Sequence, residues 1–479
     1  MSADAPVHLG VDLGTSSLKV IAVADDGRVH GVARRGYPTA HPEPGAAEQD
    51  PCDWWVALRG ALDDLAATVP TRSWSSIGLS AMLPTLVELD AGGRPLGPAI
   101  TWEDARAEPE AEELGSAIGD DSWYRTTGQR VDGRYLAPMH ARLQRLGRSG
   151  AMVAGAKDVL FAELTGTLLT DPSTAAGFAL YDLDSGRWDA ELVARSGIPA
   201  LPAIAPATTA LRLRPQWRKR WDLPELPVVL GGADSVLGAL GLGAAAHGDV
   251  AVIAGTSAIV IGVCDHPIRD EQRRYLVTPL ATPGWGLEMD LLAMGSAFSG
   301  IAELVGLPGP AELLQAARTV PVADAPVFLP YRAPGEQGAL WDPQLTGTVH
   351  GLRLGMSAGH IGRALVTGIV VELRRCIETL ADSTGTRGPI QLGGNAAASP
   401  LLWQDLADAT GCDVVVDPLV RDHSALGAAL LAAQSCGSQI TLGGARRIVT
   451  ARPGEYAAWQ DVAGAHDELR HRIGKDIRS

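Results

Sequence analysis

Cysteine is scarce: 479 residues contain five, Cys52, Cys264, Cys376, Cys412 and Cys436, none of them in a C-x-x-C pair. An odd number at wide spacing excludes a disulfide framework and a thiolate zinc site, and reads as the reduced thiols of a cytoplasmic protein. Basic charge is short as well. The formal net charge is −15 and the densest basic run is only Arg218-Lys219-Arg220, so no face is offered to a nucleic-acid backbone. Long apolar runs are missing: the longest uncharged apolar run, Val250 to Cys264, falls short of the roughly 20 residues that a membrane span needs. No secretory signal is expected ahead of Val7, and no low-complexity linker interrupts the chain.

What is present is ordinary globular material, 46% hydrophobic and 20% charged. The chain is too long for one core, which predicts two domains of roughly 200 residues or more.

From Val7 to Val23 two largely apolar runs flank Asp12-Leu13-Gly14-Thr15-Ser16-Ser17, with a single Lys19 interposed in the second run. Two β-rich runs around a Gly/Ser/Thr turn predict an antiparallel hairpin, and its hydroxyls and backbone N–H groups suit a polyphosphate. The phrase returns as Gly255-Thr256-Ser257 between Val250 to Ala254 and Ile259 to Val263. Repetition at half the chain length predicts two related domains, each presenting one such hairpin to a shared cleft. The copies differ two residues before the glycine, where the first has Asp12 and the second Ile253. One hairpin can therefore serve a phosphate-bound cation while the other holds phosphate oxygens alone.

Further candidates follow in order. Asp50-Pro51 opens a helix through Trp54, Trp55, Leu58, Leu62 and Leu65. In Ile100 to Arg106 a strand ends in Trp102, whose ring suits a sugar face, while Asp104 and Arg106 suit hydroxyls; the alternative is that Glu103 and Asp104 cap the helix from Glu108 to Leu114. Gly231-Gly232-Ala233-Asp234-Ser235 sets an acid on a glycine-loosened turn at a helix start, as a catalytic acid/base or as an N-cap. A long helix is predicted from Ser357 to Ala381. Ile390 to Leu392 followed by Gly393-Gly394-Asn395 and a helix from Pro400 to Thr410 form a nucleotide cradle.

Together these stretches, with Thr170 to Gly177 and Gly347 to Leu365, resemble the FGGY carbohydrate kinases over nearly the whole chain. The resemblance implies an α/β fold of two ribonuclease-H-like domains, of the actin, hexokinase and Hsp70 superfamily, around a central cleft, with boundaries expected at 1–245 and 246–479. It implies ATP and Mg²⁺ as cofactors, Asp12 orienting the metal, and Asp234 beside it as general base toward the acceptor hydroxyl. Gly14, Thr15, Ser16, Lys19, Gly255, Thr256 and Ser257 would hold phosphates, and Gly393, Gly394 and Asn395 the adenosine. Leu83, Trp102, Asp104, Asp234 and Ser235 would surround a small sugar, polyol or sugar acid. A homodimer is compatible with the family; nucleic acid and membrane are not expected partners.

The departures concern the acceptor. A Met-His pair of xylulokinases and gluconate kinases is replaced by Leu83-Pro84; Met139, Arg142 and Thr367 erode two family signatures, and Asn395 stands for a third glycine. Ala99 to Trp102 and Gly232 to Leu237 look like gluconate kinases, whereas Phe328 to Tyr331 with Gly335-Glu336 looks like xylulokinases. The alternative function is an ATP-binding regulatory member of the superfamily that has lost turnover.

Overall fold

Val7–Leu13 is seven residues long and fully buried, as a strand covered on both faces must be. It pairs antiparallel with Ser17–Ala24 across the Gly-Thr-Ser turn, and parallel with Trp74–Ala81. The computed structural model describes residues 5–332, 338–342, 344–395, 398–417, 421–442 and 446–478. The family-like Gly335-Glu336 lies outside the described residues.

The chain forms two compact units, one of Met1–Gly241, Val277–Gly286 and Asp422–Gly444, the other of Leu242–Leu276, Leu287–Arg421 and Ala445–Ser479. In the first, a six-stranded sheet runs in the order Ala210–Arg212, Pro227–Ala233, Trp74–Ala81, Val7–Leu13, Ser17–Ala24, Val29–Gly36. Alternation along the strands separates its two faces. Leu9, Val11, Ile77, Leu79, Val228 and Leu230 share a core with Trp54, Leu58, Leu62 and Leu65 of the helix Pro51–Ala66, whose N-cap Asp50 accepts from the Cys52 N–H at 2.8 Å. Val229 and Ala233 point the other way, toward Ala428, Leu431 and Ala432 of the helix His423–Ser435. That helix comes close because Gly10 and Gly78 interrupt the strands: a Cβ on Gly10 would lie 1.7 Å from the Ala425 carbonyl oxygen, and one on Gly78 2.0 Å from that of Ala428. A four-stranded sheet, Glu48–Gln49, Ala99–Thr101, Thr85–Leu89 and Met152–Gly155, completes the unit.

The second unit repeats the plan. Val250–Ala254 pairs antiparallel with Ala258–Cys264 and parallel with Ile390–Gly393, which is followed by the parallel Val414–Val416 and the antiparallel Arg447–Val449. The predicted long helix is Ala358–Thr384, 27 residues from N-cap Ser357 to Gly385 in the left-handed region. Among the described residues no helix is long and apolar enough to cross a membrane.

Candidate active site

Three parallel strands of the first unit end at one edge of their sheet. Asp12 and Gly232 both pair in register with Ser80 of the central strand Trp74–Ala81. With neighbouring strands about 4.8 Å apart, the Asp12 and Gly232 backbones are roughly 10 Å from each other at the carboxyl ends of the strands, where open α/β sheets bind ligands. Asp234 follows two residues later as the first residue of the helix Asp234–Leu242.

Asp12 is 4% exposed. Its Oδ1 accepts from the Ser80 hydroxyl at 3.0 Å, and its Oδ2 from the Lys19 ammonium at 3.3 Å. Both donors are set by register, Ser80 across the parallel pair and Lys19 across the hairpin. Lys19 also stands 3.7 Å from Asp422, whose carboxylate accepts from Arg34 at 2.9 Å.

The first Gly-Thr-Ser turn closes with the Gly14 N–H on the Ser17 carbonyl at 3.2 Å. Three side chains fix it from behind. The Tyr37 hydroxyl donates to the Gly14 carbonyl, the Gln49 amide to the Thr15 carbonyl at 2.7 Å, and the Trp102 indole N–H to Thr15 Oγ1 at 3.0 Å. Burial, aided by the Asp12 charge, pushes the Tyr37 phenol up, so it remains a donor. Ser16 is exposed at the tip.

Asp104 is 2% exposed and both its oxygens are engaged: Oδ2 accepts from the Ala47 N–H at 3.0 Å, and Oδ1 from the Arg106 N–H at 3.0 Å and its Nε at 3.1 Å. Arg106 also reaches Glu48 at 2.7 Å and Glu43 at 2.8 Å; burial works against its charge, but Asp104, with Glu43 and Glu48, outweighs that and raises its pKa. The helix Glu108–Ile118 starts at Ala107 with no side-chain cap, so neither Glu103 nor Asp104 caps it.

Asp234 is half-buried. Its Oδ1 accepts from the Ser235 N–H at 2.9 Å, while its carbonyl accepts from the Ser424 hydroxyl at 2.8 Å. Ser235 is buried, and half-buried Leu83 packs against the apolar cluster that includes Ala233 and Val236. Gly231 is a glycine of necessity: its φ is +73° and a Cβ would sit 1.6 Å from the Leu79 carbonyl oxygen.

In the second unit the Gly255 N–H closes its turn on the Ser257 carbonyl at 2.8 Å. Thr256 is exposed, and its carbonyl accepts from the Met294 and Ser296 N–H groups at 3.0 and 3.1 Å, so the start of the helix Gly295–Leu304 is seated on the hairpin. Gly394 has φ +96°, and a Cβ there would lie 2.2 Å from the Ala254 carbonyl oxygen, which ties the strand end Gly393 and the exposed Asn395 to the hairpin strand.

Among the described residues no three His, Cys, Asp or Glu side chains form a metal cluster. Mg²⁺ binds through one or two carboxylates plus substrate phosphates and water and needs no all-protein cage. Asp12 is a buried carboxylate held by two donors at this strand edge. Ser80, Tyr37, Gln49, Asp422 and Ser424 escape sequence reasoning, because each meets its partner only through tertiary pairing.

An α/β protein of two units, each carrying a hydroxyl-rich hairpin on a mixed sheet, one of them with acids at its strand ends, belongs to the phosphotransferases of the actin-like class. Residues 7–241 match the N-terminal domain, and residues 250–436 the C-terminal domain, of the FGGY family of carbohydrate kinases; the chain belongs to that family. It is thus a phosphotransferase with an alcohol acceptor, and family membership implies ATP as donor. It is 28% identical over 453 residues to a gluconokinase of Bacillus subtilis (strain 168), covering 90% of this chain and 87% of that one. It is 29% identical over 438 residues to a xylulose kinase of Klebsiella pneumoniae, covering 89% of each. The crystal structure of a xyloylose kinase from Brucella ovis superposes with a TM-score of 0.91 at 26% identity, covering 98% of this chain and 99% of that one.

Proposed function

We propose that the protein transfers the γ-phosphate of MgATP to a hydroxyl of a small sugar, polyol or sugar acid, with Asp234 as general base. The observation that carries this reading is the register of Asp12, Ser80 and Gly232, which brings two acids to one strand edge. Asp234 takes the proton of the attacking hydroxyl, at the half-buried start of a helix where a substrate reaches it. Asp12, with Lys19 beside it, would hold the metal. Bound Mg²⁺ would neutralise charge on the phosphates. Thr15 and Thr256 donate hydroxyl and backbone hydrogen bonds to phosphate oxygens, and Gly393, Gly394 and Asn395 line the adenosine.

Positioning and charge neutralisation supply most of the rate in phosphoryl transfer, so a fixed base and a fixed metal carboxylate are the parts the protein must provide. The acceptor is an alcohol bordered by Leu83, Trp102 and Ser235. The test is ADP release from MgATP across D-gluconate, D-xylulose, glycerol, tetroses and cyclitols, with Asp234→Asn in parallel. Turnover of an acceptor that the variant abolishes supports the reading. Tight MgATP binding with no turnover across the panel would replace it with the regulatory alternative.

A further inference from the structure

The stretch from Thr170 to Gly177 matches the family yet has no part in the chemistry above. It lies against a group of charges sealed inside the first unit. Lys157 is 1% exposed, Asp158 0% and Asp171 0%. The Lys157 ammonium stands 3.1 Å from Asp158 Oδ1 and 3.1 Å from Asp171 Oδ1. Asp158 also accepts from the Gly155 N–H at 2.9 Å. Asp171 caps the short helix Pro172–Ala176, accepting from the Ser173 N–H at 2.9 Å and the Thr174 hydroxyl at 2.6 Å.

The connection that matters leaves this cluster through Ser173. Its hydroxyl proton goes to Asp171 Oδ2, and its oxygen accepts from the Ala233 N–H at 3.0 Å. Ala233 is the residue before Asp234. Gly232 leaves the space for this contact, since a Cβ there would come within 2.8 Å of Ser173 Oγ. An unbroken chain of hydrogen bonds, charge-assisted as far as Ser173, thus runs from a buried ammonium to the backbone of the Asp234 turn.

Burying three charges is costly, and replacing buried ion pairs by apolar groups of the same volume is often neutral or stabilising. Stability alone is therefore a weak reason for this arrangement, whereas fixing one backbone conformation is a sufficient one. We propose that Lys157, Asp171 and Ser173 are positioning residues: a buried relay that holds the strand-to-helix turn presenting Asp234 to the acceptor hydroxyl. The inference rests on Asp234 as general base. A base must stand within hydrogen-bond reach of the proton it takes, and a displacement of about 1 Å costs on the order of 100-fold in rate.

The test uses the full chain with Ser173→Ala, which removes the link and leaves the ion pairs in place. A comparison variant, His140→Gln, breaks the buried 2.7 Å contact between His140 and Glu88 elsewhere in the same unit. Hydrogen exchange read by mass spectrometry on peptides spanning residues 228–240 needs no acceptor. Ser173→Ala should speed exchange there at least about tenfold while Val7–Leu13 keeps its protection; it should also lower kcat about 10-fold to 100-fold at an MgATP KM within about twofold. His140→Gln should do neither.

Unchanged exchange at the turn, or an equal rise over the whole unit, overturns the relay. So does wild-type kcat on D-gluconate, D-xylulose or glycerol when Asp234→Asn abolishes turnover of that same acceptor. If Asp234→Asn itself keeps its activity, the base assignment fails instead, and the exchange result still decides whether the turn is held. If none of the three acceptors reacts, exchange decides alone.

Discussion

The indole N–H of Trp102 donates to the hydroxyl of Thr15 at 3.0 Å, joining a residue at the end of Ala99–Thr101 to the first Gly-Thr-Ser turn. A threonine hydroxyl has one proton and two lone pairs. With an indole N–H on one lone pair, its own proton is directed elsewhere, and on the function proposed above its acceptor is a phosphate oxygen. The ring of Trp102 packs against the core of the same unit, so ring and N–H have separable duties.

Trp102→Phe separates them. The ring stays and the N–H goes, at a cost of about 0.5–1.5 kcal/mol for one hydrogen bond. The expected outcome is a rise of about 2-fold to 10-fold in the KM for MgATP with little change in Tm, read by steady-state ADP release and thermal unfolding. An unchanged KM would mean that Thr15 needs no such partner.

Asp234→Asn should fold and bind MgATP but lose turnover, because the amide cannot accept the acceptor's proton. General-base contributions are about 100-fold to 10,000-fold. The Asp234 Oδ1 bond from the Ser235 N–H can be kept by the asparagine carbonyl, so the helix start is preserved. A variant retaining a third of the wild-type rate would reduce Asp234 to a helix cap.

Asp12→Ala should raise the Mg²⁺ concentration needed for half-maximal rate and weaken MgATP use. Removing the carboxylate also leaves the Ser80 hydroxyl and the Lys19 ammonium without their 3.0 and 3.3 Å partner. Asp12→Asn is the gentler control, since its carbonyl still accepts from Ser80. Metal titrations of both variants against wild type make the measurement, and an unshifted Mg²⁺ dependence in both would remove Asp12 from its role.

Local pattern carried much of this architecture. Both hairpins were legible because alternating apolar runs bracket the same three-residue turn, and Asp50-Pro51 announced its helix through cap chemistry. The packing of His423–Ser435 beside the first hairpin was not legible. It depends on Gly10 and Gly78 meeting the backbone of Ala425 and Ala428, contacts between positions more than 300 apart in sequence. For the same reason Asp104 read equally as a hydroxyl ligand or a helix cap, while the structure ties it to Arg106 and the Ala47 N–H. Nothing local to Lys157 shows that Asp171 stands against it, or that Asp171 leads through Ser173 to Ala233.

Stability should fall in mild acid through His8. Its side chain is 1% exposed, with Nδ1 2.7 Å from Ser76 Oγ and Nε2 3.1 Å from Asp25. Burial lowers its pKa and outweighs the opposing pull of Asp25. A histidine whose folded pKa is depressed is protonated more readily in the unfolded chain, so its contribution is present above about pH 6.5 and is lost as the pH falls below it. Tm measured at about pH 7.5 and about pH 5.5 should drop less in His8→Gln than in wild type; equal drops would show that other groups set the acid limit.

The last prediction concerns the acceptor. Where related xylulokinases and gluconate kinases resemble one another in a Met-His pair, this chain has Leu83-Pro84, and Leu83 packs against the apolar cluster that includes Ala233 and Val236, the residues flanking Asp234-Ser235. Gly177 makes room for it, since a Cβ there would come within 2.6 Å of Leu83 Cδ1. Pro84 has no N–H to donate. On the proposed assignment of Asp234 as base, one wall beside it is therefore apolar. A wall that bonds a hydroxyl rejects analogues lacking it strongly, whereas an apolar wall discriminates weakly and penalises a hydroxyl buried against it. D-Xylulose should accordingly be a poor acceptor, and a smaller, deoxygenated or differently configured polyol or sugar acid a better one. Comparing kcat/KM across pentuloses, hexonates, tetroses, cyclitols and glycerol decides it. The double variant Leu83→Met/Pro84→His, which restores the pair in its own order, should improve D-xylulose relative to the best acceptor of the wild type, by roughly the 1–3 kcal/mol that satisfying a buried hydroxyl is worth. If wild-type protein already turns over D-xylulose as well as its best acceptor, another residue bonds that hydroxyl and the Leu83 wall does not set specificity.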